Sequence, residues 1–336
     1  MSIEYRLLGK PGWDNGLFVK INSGTKMYRL LFDCGENILK DLDLRTIQSI
    51  DYLFISHLHI DHIAGFDYFF RRNYDREKKP VYIFGPEDTV NIIHNRLEGF
   101  KWNLIKGVPG QWYVSEVNEK AISSFLFKTS EGYSVKHTVG KKKFNGIIID
   151  NRDFSVKVVF LDHIIPSAAY FIKEKPYLNI NKTSLEETGL KPGPWLEKVR
   201  DLTNNDTAEI EVENKSWRIK LLRKKLLEKK EGESLGYLTD FIYDGETIIK
   251  IRKTFKDCDT MICESQYMSS EKEYAKKNYH LTAKQAAQIA KAINARKLIL
   301  FHISDRYRVK DYPFLVREAR EVFPETYLPP EWKLKY

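Results

Sequence analysis

Cysteine is scarce in this sequence: three residues in 336, at positions 34, 258 and 263, an odd number with no Cys-x-x-Cys spacing. The three cannot all pair and offer no cysteine-built structural zinc site, so a reducing compartment fits best. Glycine (18) and proline (12) are also few, which removes the collagen-like and low-complexity classes. No run of about 18 apolar residues occurs, and Met1 to Lys10 lacks a basic stretch followed by an apolar one. We therefore expect a soluble cytoplasmic protein without membrane association. Internal repeats are absent.

What is present is the composition of a folded globular protein, with 42% hydrophobic and 30% charged residues. A length of 336 residues leaves one large layered α/β domain or two domains open. The formal net charge of +9 suggests a polyanionic partner. Charge alone fits equally well with a basic protein that binds no nucleic acid.

Short apolar runs rich in β-branched and aromatic residues predict strands at Tyr28 to Asp33, Asp51 to Ser56, Val81 to Phe84, Phe144 to Ile149, Val156 to Leu161, Leu235 to Thr239, Thr260 to Cys263 and Lys297 to Phe301. Several are followed at once by a polar residue capable of chemistry: His57, Asp162 with His163, Asp240, Glu264 and His302. Ligands delivered from several strand ends are what a sheet-based active site looks like. Glu87 to Leu97 reads as a helix, and so does Thr282 to Ala295, where Thr282 and Gln285 match a capping box. His280 then stands just outside a helix N-terminus, a place that favours phosphate. From about Lys175 to Gly232 the pattern breaks down around Pro192-Gly193-Pro194 and a basic run, as in a functional insertion or a mobile arm.

The densest chemistry lies in Ser56-His57-Leu58-His59-Ile60-Asp61-His62. Four potential ligands within six residues exceed what one tetrahedral ion can use beside a reactive water, so two neighbouring ions are the natural reading. Imidazole and carboxylate suit zinc first, with manganese or iron possible. His163, Asp240 and His302, at later strand ends, supply the ligands still needed. One or two histidines alone would be explained by ordinary hydrogen bonding.

These residues, in this order, resemble the metallo-β-lactamase fold superfamily and, within it, ribonuclease Z, which matures the 3′ end of transfer RNA precursors. The resemblance spans nearly the whole chain. It is carried by Leu31-Phe-Asp-Cys-Gly-Glu36, the His57 to His62 motif, Asp162-His163-Ile-Ile-Pro166-Ser167 with Tyr170, Asp240, His280-Leu-Thr-Ala283 and His302-Ile-Ser304-Asp-Arg306-Tyr307. It implies a four-layer αββα sandwich of two mixed β-sheets, a single domain over residues 1–336 with about 176–232 inserted as an RNA-gripping arm, and a homodimer. It further implies that His57, His59 and His163 hold one ion, that Asp61, His62 and His302 hold the other, that Asp240 bridges them, and that Asp61 is the general base.

Several segments depart from the family pattern. Cys263-Glu264-Ser265-Gln266 stands where His-Glu-Ala-Thr is usual, Ile60 where Gly is common, Gly65 to Phe70 replaces a Leu-Pro-Gly pattern, and residues 9–16 lack the usual Thr- and Arg-containing segment.

Two ions about 3.5–4 Å apart can bridge an attacking hydroxide and hold a phosphate oxygen. His280, oriented by Glu264, is the best-placed proton donor to the leaving oxygen. Asp33 is a candidate to orient a ligand histidine. Arg306 either neutralises phosphate or makes a structural ion pair. In the arm, Lys220, Arg223, Lys224 and Lys225, with Trp217, suit RNA backbone contact plus stacking, or else form a solvated amphipathic helix. His94 and His137 read as bystanders and Cys263 as a buried small residue. The expected function is metal-dependent phosphodiester hydrolysis at transfer RNA 3′ ends. The alternatives are a hydrolase of small phosphodiesters or sulfate esters, such as a cyclic nucleotide or aryl ester, and an RNA-binding protein without catalysis.

Overall fold

Apolar and aromatic runs of the first 143 residues build an eight-stranded sheet in the computed structural model, which describes residues 2–24, 26–201 and 204–334. Its strands follow chain order: β1 (Ser2–Leu8), β2 (Gly16–Asn22), β3 (Met27–Phe32), β4 (Tyr52–Phe54), β5 (Val81–Gly85), β6 (Gln111–Val117), β7 (Ala121–Lys128) and β8 (His137–Lys143). Strands β3 to β6 are parallel and the flanking pairs antiparallel. The remaining strands are β9 (Ile147–Asp150), β10 (Phe154–His163), β11 (Ile165–Glu174), β12 (Tyr177–Ile180), β13 (Glu209–Val212), β14 (Lys215–Arg218), β15 (Leu227–Lys230), β16 (Ser234–Leu238), β17 (Thr260–Glu264), β18 (Lys297–Phe301) and β19 (Thr326–Tyr327). Seven of them form a second mixed sheet, in the order β19-β18-β17-β16-β11-β10-β9.

Three apolar cores make four layers. Phe32, Phe54, Tyr170, Tyr237 and Phe301 belong to the core between the sheets. Phe66, Phe69, Phe70 and Ile93, from helices Phe66–Asn73 and Thr89–Glu98, pack on the outer face of the first sheet with Trp112. Ile251, Ala286, Ala290 and Leu315, from three further helices, cover the second. The αββα sandwich implied by the resemblance is therefore the observed architecture.

The predicted elements recur with shifted ends. The helix expected over Thr282 to Ala295 spans Ala283–Ala292, and both halves of its capping box form. The strand expected from Phe144 begins only at Ile147. Phe144 still bonds to Lys120, and Gly146, at φ 89°, then turns the chain where a side chain would be strained.

Residues 174–232 form a compact unit of their own. Strands β12 with β15 and β13 with β14 make two antiparallel pairs. Leu185, Val199, Ile210, Ile219, Leu222 and Leu226 are its core. The single amphipathic helix considered for residues 215–230 is not what forms: the run divides into β14, helix Ile219–Leu226 and β15. Ile219, Leu222 and Leu226 repeat at helical spacing and bury together, whereas Leu227 begins a strand that pairs with Tyr177–Ile180. Truncating Leu222 or Leu226 to alanine would cost this unit about 2–5 kcal/mol. No helix among the described residues is long and apolar enough to cross a membrane.

Candidate metal centre

Five strands deliver polar side chains to one region. The loop after β4 carries Ser56 to His59 and leads into a one-turn helix, Ile60–Ile63, that carries Asp61 and His62; β10 ends at His163, β16 is followed by Thr239 and Asp240, β17 ends at Glu264, and His302 follows β18. The backbone bends sharply there. Among the described residues, five of the thirteen non-glycine residues with positive φ are Asp33 (57°), Ile164 (66°), Asp240 (52°), Tyr279 (58°) and His302 (50°). Strained backbone persists where the surrounding structure over-determines it, commonly at functional sites.

Hydrogen bonds orient the imidazoles. His62 Nδ1 lies 2.9 Å from Asp33 Oδ2, so it donates there and turns Nε2 inward. That Nε2 is buried and has no hydrogen-bond partner among the described residues. His163 Nδ1 donates to the Tyr279 carbonyl at 2.8 Å, and His57 Nδ1 faces Ser56 Oγ at 3.0 Å. Each ring therefore turns its Nε2 to the centre, the arrangement that fixes a ligand histidine.

Besides a group of His163, Asp240 and His280 that overlaps both, two groups of potential ligand atoms result. His57, His59 and His163 form one; Asp61, His62, Asp240 and His302 form the other, with all ligand atoms in each group within 4.8 Å of one another. His57 Nε2 stands 3.1 Å from His59 Nδ1, His62 Nε2 is 3.3 Å from Asp61 Oδ2 and 3.4 Å from Asp240 Oδ2, and His302 Nε2 is 3.2 Å from Asp240 Oδ1. Ligands about 2.0–2.1 Å from a tetrahedral ion stand about 3.3 Å apart, so these spacings fit divalent metal. Asp240 Oδ2 also lies 3.7 Å from His57 Nε2 and 3.8 Å from His163 Nε2, between the two groups.

The electrostatics agree with cation binding. Burial holds the His57 imidazole well below its usual range, aided by the neighbouring His62 charge, so it is neutral and ready to ligate. Burial would lower His62 too, but the Asp240 and Asp33 carboxylates raise it well above the ordinary histidine value. Burial opposes the Asp240 charge, yet His302, His62 and His280 hold this carboxyl well below the usual range. Protons on such imidazoles are what an arriving metal displaces.

Beside these groups stands a relay. Glu264, fully buried, accepts at Oε1 from the Phe241 amide (2.9 Å) and at Oε2 from His280 Nδ1 (3.0 Å) and the Leu281 amide (3.2 Å). One carboxylate thus fixes the chain just after Asp240 and the His280 ring together. Burial pulls His280 down, but Glu264 and Asp240 outweigh it and raise the imidazole to about 9. Its Nε2 lies 3.2 Å from the Gln266 amide, a neighbour that the sequence did not nominate.

Asp33 does more than orient one ring. Its Oδ2 accepts from Ser56 Oγ (2.8 Å), Tyr237 OH (2.9 Å) and His62, and its Oδ1 from the Ser56 amide (2.7 Å). Tyr237, on the fully buried strand β16, was missed in the sequence because its partner Asp33 lies 204 residues away.

Other expected residues lie elsewhere or are already engaged. Arg306 pairs with Glu271 at 2.6 Å and stacks over Tyr267 and Tyr274, the structural role rather than a free phosphate contact. In the compact unit of residues 174–232, Arg223 gives its donors to the carbonyls of Val199, Asn204 and Asp201 and to Asp206, which removes it from the expected RNA contacts. Lys220, Lys224 and Lys225 are exposed, whereas Trp217 is half-buried against that unit's core and not presented for stacking. His94 bonds to the Tyr133 carbonyl and His137 to Glu131, and Cys263 is fully buried.

Comparison with known proteins places this geometry. Residues 14–178 match the family described as anti-Pycsar protein Apyc1, and residues 206–303 the β-lactamase superfamily domain. Among solved structures the fold is similar to the metallo-β-lactamase fold protein YhfI of Bacillus subtilis (TM-score 0.58, 15% identity, 98% of this chain and 96% of that one). It is also similar to the short form of human tRNase Z (TM-score 0.52, 18% identity, 90% and 93%). Ribonuclease Z of Methanocaldococcus jannaschii is 33% identical over 88% of this chain and 83% of its own length. Ribonuclease Z of Deinococcus radiodurans is 34% identical over 97% of each chain. With 34% identity over 97% of each chain, this chain belongs to the ribonuclease Z family of metal-dependent hydrolases on the metallo-β-lactamase fold.

Proposed function

We propose that this chain is a cytoplasmic endoribonuclease that cuts precursor transfer RNA at the 3′ end, using two divalent ions, zinc by first choice, held by His57, His59 and His163 and by Asp61, His62 and His302, with Asp240 shared. The observation that carries the reading is the pair of ligand groups meeting at Asp240, with the Glu264–His280 relay alongside. Bound there, divalent ions would activate water near neutral pH and offset the charge of a phosphodiester.

The chain's own residues supply the proton traffic. Asp61, held below the usual carboxylate range because the His62 charge outweighs its burial, stays ionised and receives the proton of the attacking water. His280 Nε2, protonated through the Glu264 and Asp240 charges, gives its proton to the leaving oxygen. Asp33 and the Tyr279 carbonyl keep His62 and His163 in the ligating tautomer.

Residues 176–232 act as the arm that contacts the RNA body, through Lys220, Lys224 and Lys225. The family resemblance adds a homodimer. Incubating purified, metal-quantified protein with a precursor transfer RNA and mapping the ends tests the reading. We expect two equivalents of metal and one cut at the 3′ end. Protein with two metals that leaves this RNA intact but turns over a cyclic nucleotide or aryl ester would overturn it in favour of small-diester hydrolysis.

A further inference from the structure

Fourteen large apolar side chains are exposed among the described residues. Scattered ones need no explanation. Three, however, flank the candidate ligands. Ile60 (76% exposed) lies between His59 and Asp61, and Ile164 (77%) directly follows His163. Trp13 (70%) sits in a loop fastened to the segment after His302, where the Gly12 amide donates to the Ile303 carbonyl. The same loop is fastened on its other side. Asp14 Oδ2 accepts from the Glu36 amide at 2.7 Å, and a side chain at Gly35 would come within 2.5 Å of both Asp14 and the Asp61 carbonyl.

Stability does not account for these side chains. Each leaves most of its surface in water and so gains little from burial. Ile164 is the sharpest case, a β-branched residue held at φ 66°, where glycine would sit without strain. Its amide donates to Asp162 Oδ1 at 2.9 Å, which keeps the turn closed and the side chain outward.

We propose that Trp13, Ile60 and Ile164 form an apolar rim against which unpaired nucleobases flanking the scissile phosphate pack, Trp13 by stacking and the isoleucines by contact with base and sugar. The inference rests on the RNA-cleavage reading above. A phosphate held at the centre brings its two attached nucleosides to the rim, and the only large apolar face that RNA offers is that of a base. Bases already paired and stacked in a duplex cannot offer it, so the rim selects RNA that is single-stranded at the cut. It tolerates any base there, since every base has a π-face.

The test compares kcat/KM on a precursor transfer RNA with that on the same RNA made abasic at the two nucleotides flanking the cut, for the wild type, Trp13→Ala and Ile164→Gly, each with metal content verified. Base stacking of the usual strength predicts that the abasic substitution slows the wild type between about 5-fold and 150-fold. Trp13→Ala should show a comparable loss on the intact RNA, mostly in KM, and the two losses should not add. Ile164→Gly should lose RNA cleavage while melting at the same or a higher temperature. Additive losses, intact kcat/KM in Trp13→Ala, or a less stable Ile164→Gly would each overturn the rim. A wild type that cuts neither RNA instead sinks the RNA reading itself, and the rim with it.

Discussion

Replacing Asp33 with asparagine tests how the centre is held, because the shape is kept while the charge and one acceptor are lost. All four hydrogen bonds to this carboxylate come from donors: the Ser56 amide at Oδ1, and Ser56 Oγ, His62 Nδ1 and Tyr237 OH at Oδ2. Whichever way the amide is turned, its NH2 group faces at least one donor with no water to relieve the conflict, since Asp33 is fully buried. One orphaned buried donor costs about 1–3 kcal/mol, and hydrogen bonds to a charged group contribute about 1.5–3 kcal/mol. A destabilisation of about 2–4 kcal/mol follows for the metal-free protein, read from denaturant unfolding. His62 also loses the partner that fixes its tautomer, and such losses weaken metal binding about 10- to 100-fold. Chelator competition measures that separately. In excess metal the two effects combine, since a 10- to 100-fold weaker affinity removes about 1.4–2.7 kcal/mol more. An Asp33→Asn variant with unchanged unfolding midpoint and metal affinity within twofold of wild type would refute the reasoning.

The other predictions concern the chemistry and the arm. Asp61→Ala should lower single-turnover RNA cleavage by about 10²–10⁴-fold with an unchanged circular dichroism spectrum, as the side chain is 40% exposed. His280 is raised by Glu264, so its acid form persists into alkaline solution. Glu264→Gln removes that charge and should move the alkaline limb of the kcat profile to lower pH, whereas a purely structural Glu264 would lower the rate at all pH values alike. Charge reversal at Lys220, Lys224 and Lys225 should weaken RNA binding and reduce the salt slope by roughly 0.7–0.9 for each phosphate no longer neutralised. Arg223→Ala should instead make residues 174–232 sensitive to proteolysis, because its guanidinium ties three carbonyls together.

Much of the layout could be read from local pattern. Apolar runs ending in His57, His163, Asp240, Glu264 and His302 announced strand ends that share one region, and the structure brings those side chains together from two sheets. The capping box at Thr282 was equally local. What escaped was long-range. The bond from Tyr237 to Asp33 joins residues 204 apart, and no spacing rule reaches that far. Arg223 looked like one more cation in a basic run, since its burial depends on carbonyls contributed by Val199, Asp201 and Asn204. The break of the run 215–230 into strand, helix and strand followed from pairing of its first end with Glu209–Val212 and its last with Tyr177–Ile180, a case of tertiary context overriding helix propensity.

The order in which the ligand-bearing strands occur along the chain has a consequence for how metal is acquired. His57 and His59 emerge early in synthesis, but Asp240 and His302 come from the last third of the chain. At about 5–20 residues per second, roughly 10–50 s separate the first histidine from the last. For that interval the early histidines can meet any ion in the cell but cannot enclose one. Selection of the metal therefore falls to the finished sandwich and not to the nascent chain.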